Sequence, residues 1–450
     1  MSAEQRFDAV VIGAGPGGRH AARGLVAADL RVAVVESELV GGECPFWACI
    51  PSKTLLRPVE AREEAGHVAG LHRPALDWAE VARYRDYMVS GHDDSAKAAA
   101  LEKLGIEIVR GRGRLDGPGR VVVGDRALQA ERIVLAPGTT SAIPPIDGLD
   151  RVAYWTNREA TAMEDVPESA VVLGGGPVGV ELGQMLARFG ARTTIVEAAP
   201  RLLARETTAV SELLGELLEG DGIAVRTSAK ADGVEPAGAG VRVRLDAGDP
   251  VEAERLVVAV GRKPRTEGLG LDSLGIEPAE GGVVAVDGHC RAGKGVWAVG
   301  DVTGVAPFTH VASYQARVAV DDVLGRPRDA DYRAVPRVVF SDPEVAGVGE
   351  TPEQARERGV EVTTATGALS DLDRTETYGY DLEGAYGVAA DSGAGIVVGA
   401  WAVGPLASEW IHPMALAIQA RVPLRVLGES MAQFPTFAEA WPTAARELSR

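Results

Sequence analysis

Two kinds of hydrophobic pattern alternate along the chain, and their order sets the architecture. Residues 7–12 (FDAVVI) and the run RVAVVE ending at Glu36 are short, apolar and β-branched, the pattern of buried strands, with a helical stretch between them. The same order returns in SAVVLGGGPVGVELGQMLARFGARTTIVE, which ends at Glu197. Strands alternating with helices predict parallel βαβ units, in which the crossover helices cover the sheet. Each copy runs on to a further strand and a small-residue turn: RIVL before Ala136-Pro137-Gly138, and RLVV before Ala259-Val260-Gly261. Apolar spacing reads as helical over 77–104, followed by turns and strands over 110–135. From about Ala334 the composition changes. Thr351-Pro352-Glu353-Gln354 reads as a capping box with proline at the first helical position, strands flank a turn at 391–395, and a helix is expected over 409–420. The fold class is therefore α/β, with two Rossmann-like nucleotide-binding domains and a C-terminal α+β domain.

Composition narrows the class. A chain of 450 residues suggests about three domains of roughly 150 each, and 46% apolar with 24% charged residues is ordinary for a globular protein. A formal charge of −18 argues against nucleic acid or an anionic membrane as partner. Residues 7–12 are too few to span a membrane. Three cysteines make no secreted disulfide framework, so a cytoplasmic protein is expected. His67, His72 and His92 are isolated and read as solvated, and no metal site is expected.

The repeated units carry candidate chemistry. Gly13-x-Gly15-x-x-Gly18 closes the first strand and Gly174-x-Gly176-x-x-Gly179 the corresponding strand of the second unit; in both, the first glycine precedes the acid, Glu36 or Glu197, by 23 positions. Glycines there permit a tight turn and close approach to a pyrophosphate lying on the helix N-terminus, while the acid accepts a ribose hydroxyl. An acid at Glu197 favours a free 2′-hydroxyl, hence NAD over NADP, although Arg201 and Arg205 lie downstream.

Directly behind the first unit, Cys44 and Cys49 stand five positions apart. On a regular helix that separation is roughly 8–9 Å, too far for a disulfide, so a bonded pair needs Cys44 ahead of the helix and Cys49 just inside it. Pro45 suits a first helical turn. The sulfur of Cys49 would then lie near a positive helix end, which favours the thiolate. Two unlinked buried cysteines are the alternative.

GGECPFWACIPSK resembles the motif GG-x-C-x4-C-[IV]-P-x-K of the flavoprotein disulfide reductases, with Gly41, Gly42, Cys44, Cys49, Ile50, Pro51 and Lys53 at matching positions, and the resemblance runs over essentially the whole chain. It implies FAD at the first glycine turn, with Gly42 and Gly138 beside it, and a nicotinamide nucleotide at the second, with Gly261. It also implies a redox disulfide of Cys44 and Cys49, and a Lys53 ammonium near the flavin partnered by Glu181 of VGVELG. Asp301 of KGVWAVGD matches the aspartate on the ribityl chain, and PFTHVAS, which contains Thr309, matches the stretch bordering the flavin. VPRVVFSDPEVAGVGETPEQA resembles the start of the dimerisation domain, so a homodimer is expected. The domains then run 1–147 (FAD, first part), 148–265 (NAD(P)), 266–333 (FAD, second part) and 334–450 (dimerisation). His412 and Cys290 are taken as structural.

Two departures bear on the substrate. Most of that family carry H-x-H-P-T-x-x-E near the C-terminus, whose second histidine is the acid/base. Here the stretch reads Ala432-Gln433-Phe434-Pro435-Thr436-Phe437-Ala438-Glu439, so Phe434 stands where the base should be and Glu439, the remaining member of that catalytic set, has no imidazole to orient. Losing such a base typically costs about 10²–10⁴ in rate. Beside the cysteines, Pro45-Phe46-Trp47-Ala48 replaces small and polar residues, which suggests an apolar cleft and a hydrophobic acceptor unless the rings merely pack the core. The chain ends ARELSR without the further cysteine pair of mercuric reductases. The expected activity passes electrons from NADH through FAD and the cysteine pair to a small disulfide or dithiol other than lipoamide or glutathione. The rival is a flavin-only reductase of a quinone, dye or metal ion, and a third reading is a nucleotide-sensing scaffold.

Overall fold

The computed structural model describes residues 5–379 and 382–450. The chain divides into two units. One is formed by the chain up to Pro51, Tyr84–Ala142 and Arg262–Ala330, the other by Ser52–Arg83, Ile143–Gly261 and Asp331–Arg450.

In the first unit, a six-stranded sheet runs in the order Arg291–Gly293, Val296–Ala298, Arg132–Leu135, Ala9–Ile12, Val32–Glu36, Glu107–Arg110. Every neighbouring pair is parallel except the hairpin that ends with Val296–Ala298. All residues of Ala9–Ile12 and Val32–Glu36 are buried, as central strands covered on both faces must be. Alternation assigns the two faces: Ala9 and Val11 join the core that includes Leu25 and Ala316, while Val10 and Ile12 join the one that includes Leu115 and Leu128. On the first face the helix Pro16–Val26 lies along Thr309–Val323, with Gly17 against Ala312 and Gly24 against Val320.

The stretch 77–104, expected to be helical, is helical in three pieces: Trp78–Met88, a 3-10 turn Ser90–His92, and Ser95–Glu102. The apolar spacing is present, but Ser90, Gly91 and His92 have φ of 55°, 55° and 61°, which no right-handed helix contains.

In the second unit, Ala224–Arg226, Arg192–Val196, Ser169–Leu173 and Arg255–Val258 form a wholly parallel sheet beneath the helix Pro177–Arg188, with Ser169 opposite Arg192 and Leu173 opposite Val258. A separate five-stranded antiparallel sheet is built from residues 336–404. It shares a core with Trp410, Phe437 and Trp441, in which the two tryptophan rings lie 5.1 Å apart. The expected capping box is present: the Gln354 amide donates to Thr351 Oγ1 at 3.3 Å, and the Thr351 amide donates to Gln354 Oε1 at 2.9 Å. The helix expected over 409–420 is split into Ala407–Trp410 and His412–Gln419.

The helix Thr309–Val323 is tied to its sheet by one buried carboxylate. Asp322, whose side chain is fully buried, accepts from Trp297 Nε1 at 2.7 Å and from the Arg291 guanidinium at 2.5 and 2.7 Å. Asp322→Ala leaves the buried indole N–H without an acceptor and is expected to lower stability by about 1–3 kcal/mol, against less than about 1 kcal/mol for Arg358→Ala in the exposed pair with Glu350. Equal denaturant midpoints for the two variants would contradict this ordering.

Candidate active site

The two glycine turns are built alike. Gly13 and Gly174 have φ of 101° and 109°, and each is pressed against the carbonyl of a small residue, Ala136 or Ala259. A side chain on Gly18 or Gly179 would overlap the carbonyl of Gly13 or Gly174. The helices begin at Pro16 and Pro177 after Gly15 and Gly176, with neither a capping side chain nor an acid in the first turn. Their first amides are thus available to an anion. In front of Gly15 and Gly176 a Cβ would meet nothing within 4 Å, the open approach a pyrophosphate requires. Gly138 and Gly261 face open space in the same way.

The paired acids are also alike. Glu36 accepts from the Ala14 amide at 2.7 Å and the Glu38 amide at 2.8 Å, and Glu197 from the Gly175 amide at 2.5 Å and the Ala199 amide at 2.6 Å. Each oxygen takes one backbone bond, so each carboxylate retains lone pairs for ribose hydroxyls. The residues fit a dinucleotide at both turns. Arg201 is turned to its own loop, donating to the Glu206 and Ala204 carbonyls and to Ser211 Oγ.

Asp301 opens a 3-10 turn, and its Oδ2 accepts from the Thr139 hydroxyl at 2.8 Å; Arg262 Nε in turn donates to Thr139 Oγ1 at 2.7 Å. The preceding Gly300 amide donates to the buried Gln315 Oε1 at 2.7 Å. Thr139, Arg262 and Gln315 escaped the sequence reading, because lone polar residues on three separate elements carry no periodic or motif signal.

Cys44 lies in a one-turn helix, Glu43–Phe46, and Cys49 is the first residue of Cys49–His67. Pro45 thus belongs to the short turn and not to the long helix. Both cysteines are thiols, and Cys49 Sγ lies 3.6 Å from Thr309 Oγ1. The segment is seated on the first nucleotide turn: the Gly41 amide donates to the Ala14 carbonyl at 2.9 Å, and a Cβ on Gly42, whose φ is 71°, would stand 2.8 Å from Gly15 Cα.

Two expectations about this segment need correction. Phe46 is 1% exposed, so it packs the interior and does not line a cleft, with the Lys97 ammonium 4.4 Å above its ring. His92 is not an isolated solvated residue: its ring stacks on Trp47 at 3.9 Å, and its Nε2 lies 3.3 Å from the Phe46 carbonyl oxygen. The three left-handed residues that break the helix are what bring it there, and a helical reading of 77–104 could not have foreseen it. His67 and His72 are exposed, and Cys290 is wholly buried.

In the second unit, Lys53 Nζ donates to Glu181 Oε2 at 2.6 Å, and Glu181 Oε1 accepts from the Phe340 amide at 2.9 Å. The ammonium also lies 4.7 Å over the Phe340 ring. Glu439 accepts from the Thr436 amide at 2.9 Å in a capping box, and Phe434 is 72% exposed. Among the described residues no group of histidines, cysteines and acids could hold a metal, and no helix is long and apolar enough to cross a membrane.

The pyridine nucleotide-disulphide oxidoreductase profile matches residues 7–316, and the dimerisation domain of the same family matches 335–445. The chain is 34% identical to a dihydrolipoyl dehydrogenase of Chlorobaculum tepidum, covering 98% of this chain and 96% of that one. It is 32% identical to a mercuric reductase of Streptomyces lividans, covering 100% and 98%. Among solved structures, a Cu(II) complex of the HOCl-induced flavoprotein disulfide reductase RclA from Escherichia coli superposes with a TM-score of 0.87 at 26% identity, covering 97% of this chain and 99% of that one.

The seating of Gly42 on Gly15 yields a direct test. Gly42→Ala forces a backbone shift at the nucleotide turn and places alanine at positive φ, a strain of about 1–3 kcal/mol. Purified Gly42→Ala is expected to retain less than half the flavin of the parent by absorbance, whereas Gly70→Ala, at φ 85° with nothing within 4 Å, keeps it all. Full flavin in both variants would show the close approach to be dispensable.

Proposed function

The chain belongs to the pyridine nucleotide-disulphide oxidoreductase family, and from that premise we propose that it carries electrons from NADH through FAD to the Cys44–Cys49 pair and on to a small-molecule disulfide. The observation that carries this reading is the thiol of Cys49, at the start of a long helix and 3.6 Å from Thr309 Oγ1, in the segment expected to border the flavin. When bound, FAD supplies the two-electron relay between a reduced nicotinamide and a disulfide. The protein's own residues hold and tune it. The first glycine turn and Glu36 receive the dinucleotide, Asp301 is fixed by Thr139 for the ribityl chain, and Lys53, held by Glu181, supplies positive charge for the reduced cofactor.

Cys44, outside the long helix, is the thiol that exchanges with substrate, and Cys49 is the one that resolves the mixed disulfide. In the second unit Glu197, with Arg201 committed to its own loop, supports NAD over NADP. A homodimer, with residues 335–445 as the interface domain, completes the reading. Phe434, in place of the base, argues for an acceptor other than lipoamide or glutathione.

One second reading is favoured by a specific likeness. A mercuric reductase among the relatives, and the Cu(II) complex of the structural neighbour, support a thiophilic metal ion as substrate. This chain has three cysteines in all, so such an ion would have only the Cys44–Cys49 pair to meet.

Anaerobic NADH titration of the flavin-loaded protein is expected to take up four electron equivalents per flavin, two on each redox centre; two equivalents would sink the disulfide route. Cys44→Ser should abolish disulfide turnover, and unchanged turnover would favour electrons leaving the flavin directly. kcat/KM is expected to be at least about tenfold higher with NADH than with NADPH, since a 2′-phosphate meets the Glu197 carboxylate. A preference for NADPH would overturn the nucleotide assignment.

A further inference from the structure

We infer that His92 is a positioning residue for the redox pair: it clasps the turn between Cys44 and Cys49 and so sets how readily the two sulfurs join. The inference rests on the proposed dithiol route and adds to it the residue that shapes the pair.

The clasp is built from direct contacts. Pro45, Phe46, Trp47 and Ala48 separate the two cysteines, and His92 grips the middle two. Its Nε2 lies 3.3 Å from the Phe46 carbonyl oxygen, and since a carbonyl only accepts, the nitrogen there carries the hydrogen. Its ring lies nearly flat on the Trp47 indole, 3.9 Å away and 20° from parallel. Both rings are half-buried. The stretch that carries His92 holds the same segment at two further points. Asp94 accepts from the Val40 amide and is itself fixed by the Arg110 guanidinium at 2.6 and 2.9 Å. The Lys97 ammonium stands over the Phe46 ring, and a Cβ on Gly41 would meet that ring at 2.8 Å and the Lys97 side chain at 3.2 Å. Residues 92–97 therefore hold the chain on both sides of Cys44.

The backbone is strained to bring the imidazole there. Ser90 and His92 take φ of 55° and 61°, a region that L-residues enter at a cost, with Gly91 between them at 55°. Helical φ throughout would relieve the strain, so contacts must offset it, and those of His92 are with Phe46 and Trp47. The acids beside the ring have other partners: Asp93 accepts from the Ser95 amide and hydroxyl at 2.8 and 2.9 Å, and Asp94 is bound by Arg110. His92 thus acts through its donor and its ring face, not through an ion pair.

The consequence for the sulfurs is entropic. A free turn between two thiols loses conformational freedom when the disulfide closes, whereas a turn already held in one arrangement has less to lose. The arrangement held here has Cys44 in its own short turn ahead of the long helix that Cys49 begins, which is the order a bonded pair needs. The clasp therefore favours the disulfide over the dithiol.

The test equilibrates the flavin-loaded protein anaerobically in dithiothreitol buffers of graded oxidised-to-reduced ratio. After acid quenching and alkylation, mass spectrometry counts the Cys44–Cys49 disulfide against the dithiol. In this exchange the Cys44–Cys49 bond breaks as dithiothreitol closes to its cyclic disulfide, and two electrons and two protons pass to the protein. His92→Ala is expected to shift the equilibrium about tenfold toward the dithiol, or about 30 mV. His92→Gln keeps a donor and His92→Phe keeps a ring, and each is expected to recover part of that loss. Asp322→Ala, which loosens the same unit at Trp297 and Arg291, is expected to leave the constant unchanged. Equal constants for the parent and His92→Ala, or an equal shift in Asp322→Ala, would overturn the inference. Should His92→Ala fail to hold flavin, the Gln and Phe variants decide, and parental constants in both overturn it. A parent that forms no Cys44–Cys49 disulfide at any ratio would instead remove the dithiol route itself, and the role of the clasp with it.

Discussion

The first unit depends on one close approach of two glycines. The chain returns from the strand Val32–Glu36 and passes so near the start of the helix Pro16–Val26 that Gly42 leaves no room for a side chain beside Gly15. The Gly41 amide, donating to the Ala14 carbonyl, fixes the height of that approach. A dinucleotide turn and a pair of thiols five residues apart are thereby one rigid piece, because the residue that caps the nucleotide helix is also the platform for the cysteine segment. The redox chemistry proposed here needs that rigidity, since electron transfer within a protein has to find its partners already in place.

The second unit shows that the return of the chain is general and the cysteines are particular. There too the segment after the acid folds back on the glycine turn, with the Leu203 amide donating to the Gly175 carbonyl at 2.9 Å, as Gly41 donates to Ala14. Leu203 takes a φ of 44° to do so, and the Leu202 side chain comes close against Gly175. The scaffold thus positions a returning loop in both copies. One copy covers the turn with an apolar plug, and the other places two thiols. The nucleotide turn is repeated, while the loop beyond the acid differs between the two copies.

How much of the structure was legible in the sequence depends on which interactions are local. The glycine spacing, the acids and the placement of Cys44 ahead of a helix that starts at Cys49 were all readable, because each is fixed within one βαβ unit by backbone geometry. The capping box at Thr351 was readable for the same reason. The seating of His92 on Trp47 was not, since it requires three successive left-handed residues in a stretch whose apolar spacing is helical. Nor was the Thr139 hydroxyl that orients Asp301, which joins residues 162 apart in the chain. Phe46 is instructive: an aromatic residue beside a reactive cysteine suggests a cleft, but the one-turn helix Glu43–Phe46 turns that ring inward.

The chain as a whole carries a formal charge of −18, yet the acid next to Cys44 in sequence, Glu43, faces Arg265 at 3.2 Å and Arg262 at 3.9 Å, and Arg265 also holds Glu38 at 2.9 Å. In such a field a thiol and a thiolate differ by more than reactivity. A thiolate needs no proton acceptor at the moment of attack, so the step that a histidine would assist is already complete before substrate arrives. What a fixed cation cannot do is return a proton to the departing thiolate. An acceptor whose leaving sulfur is already a stable anion, with a low thiol pKa of its own, suffers least from that deficiency.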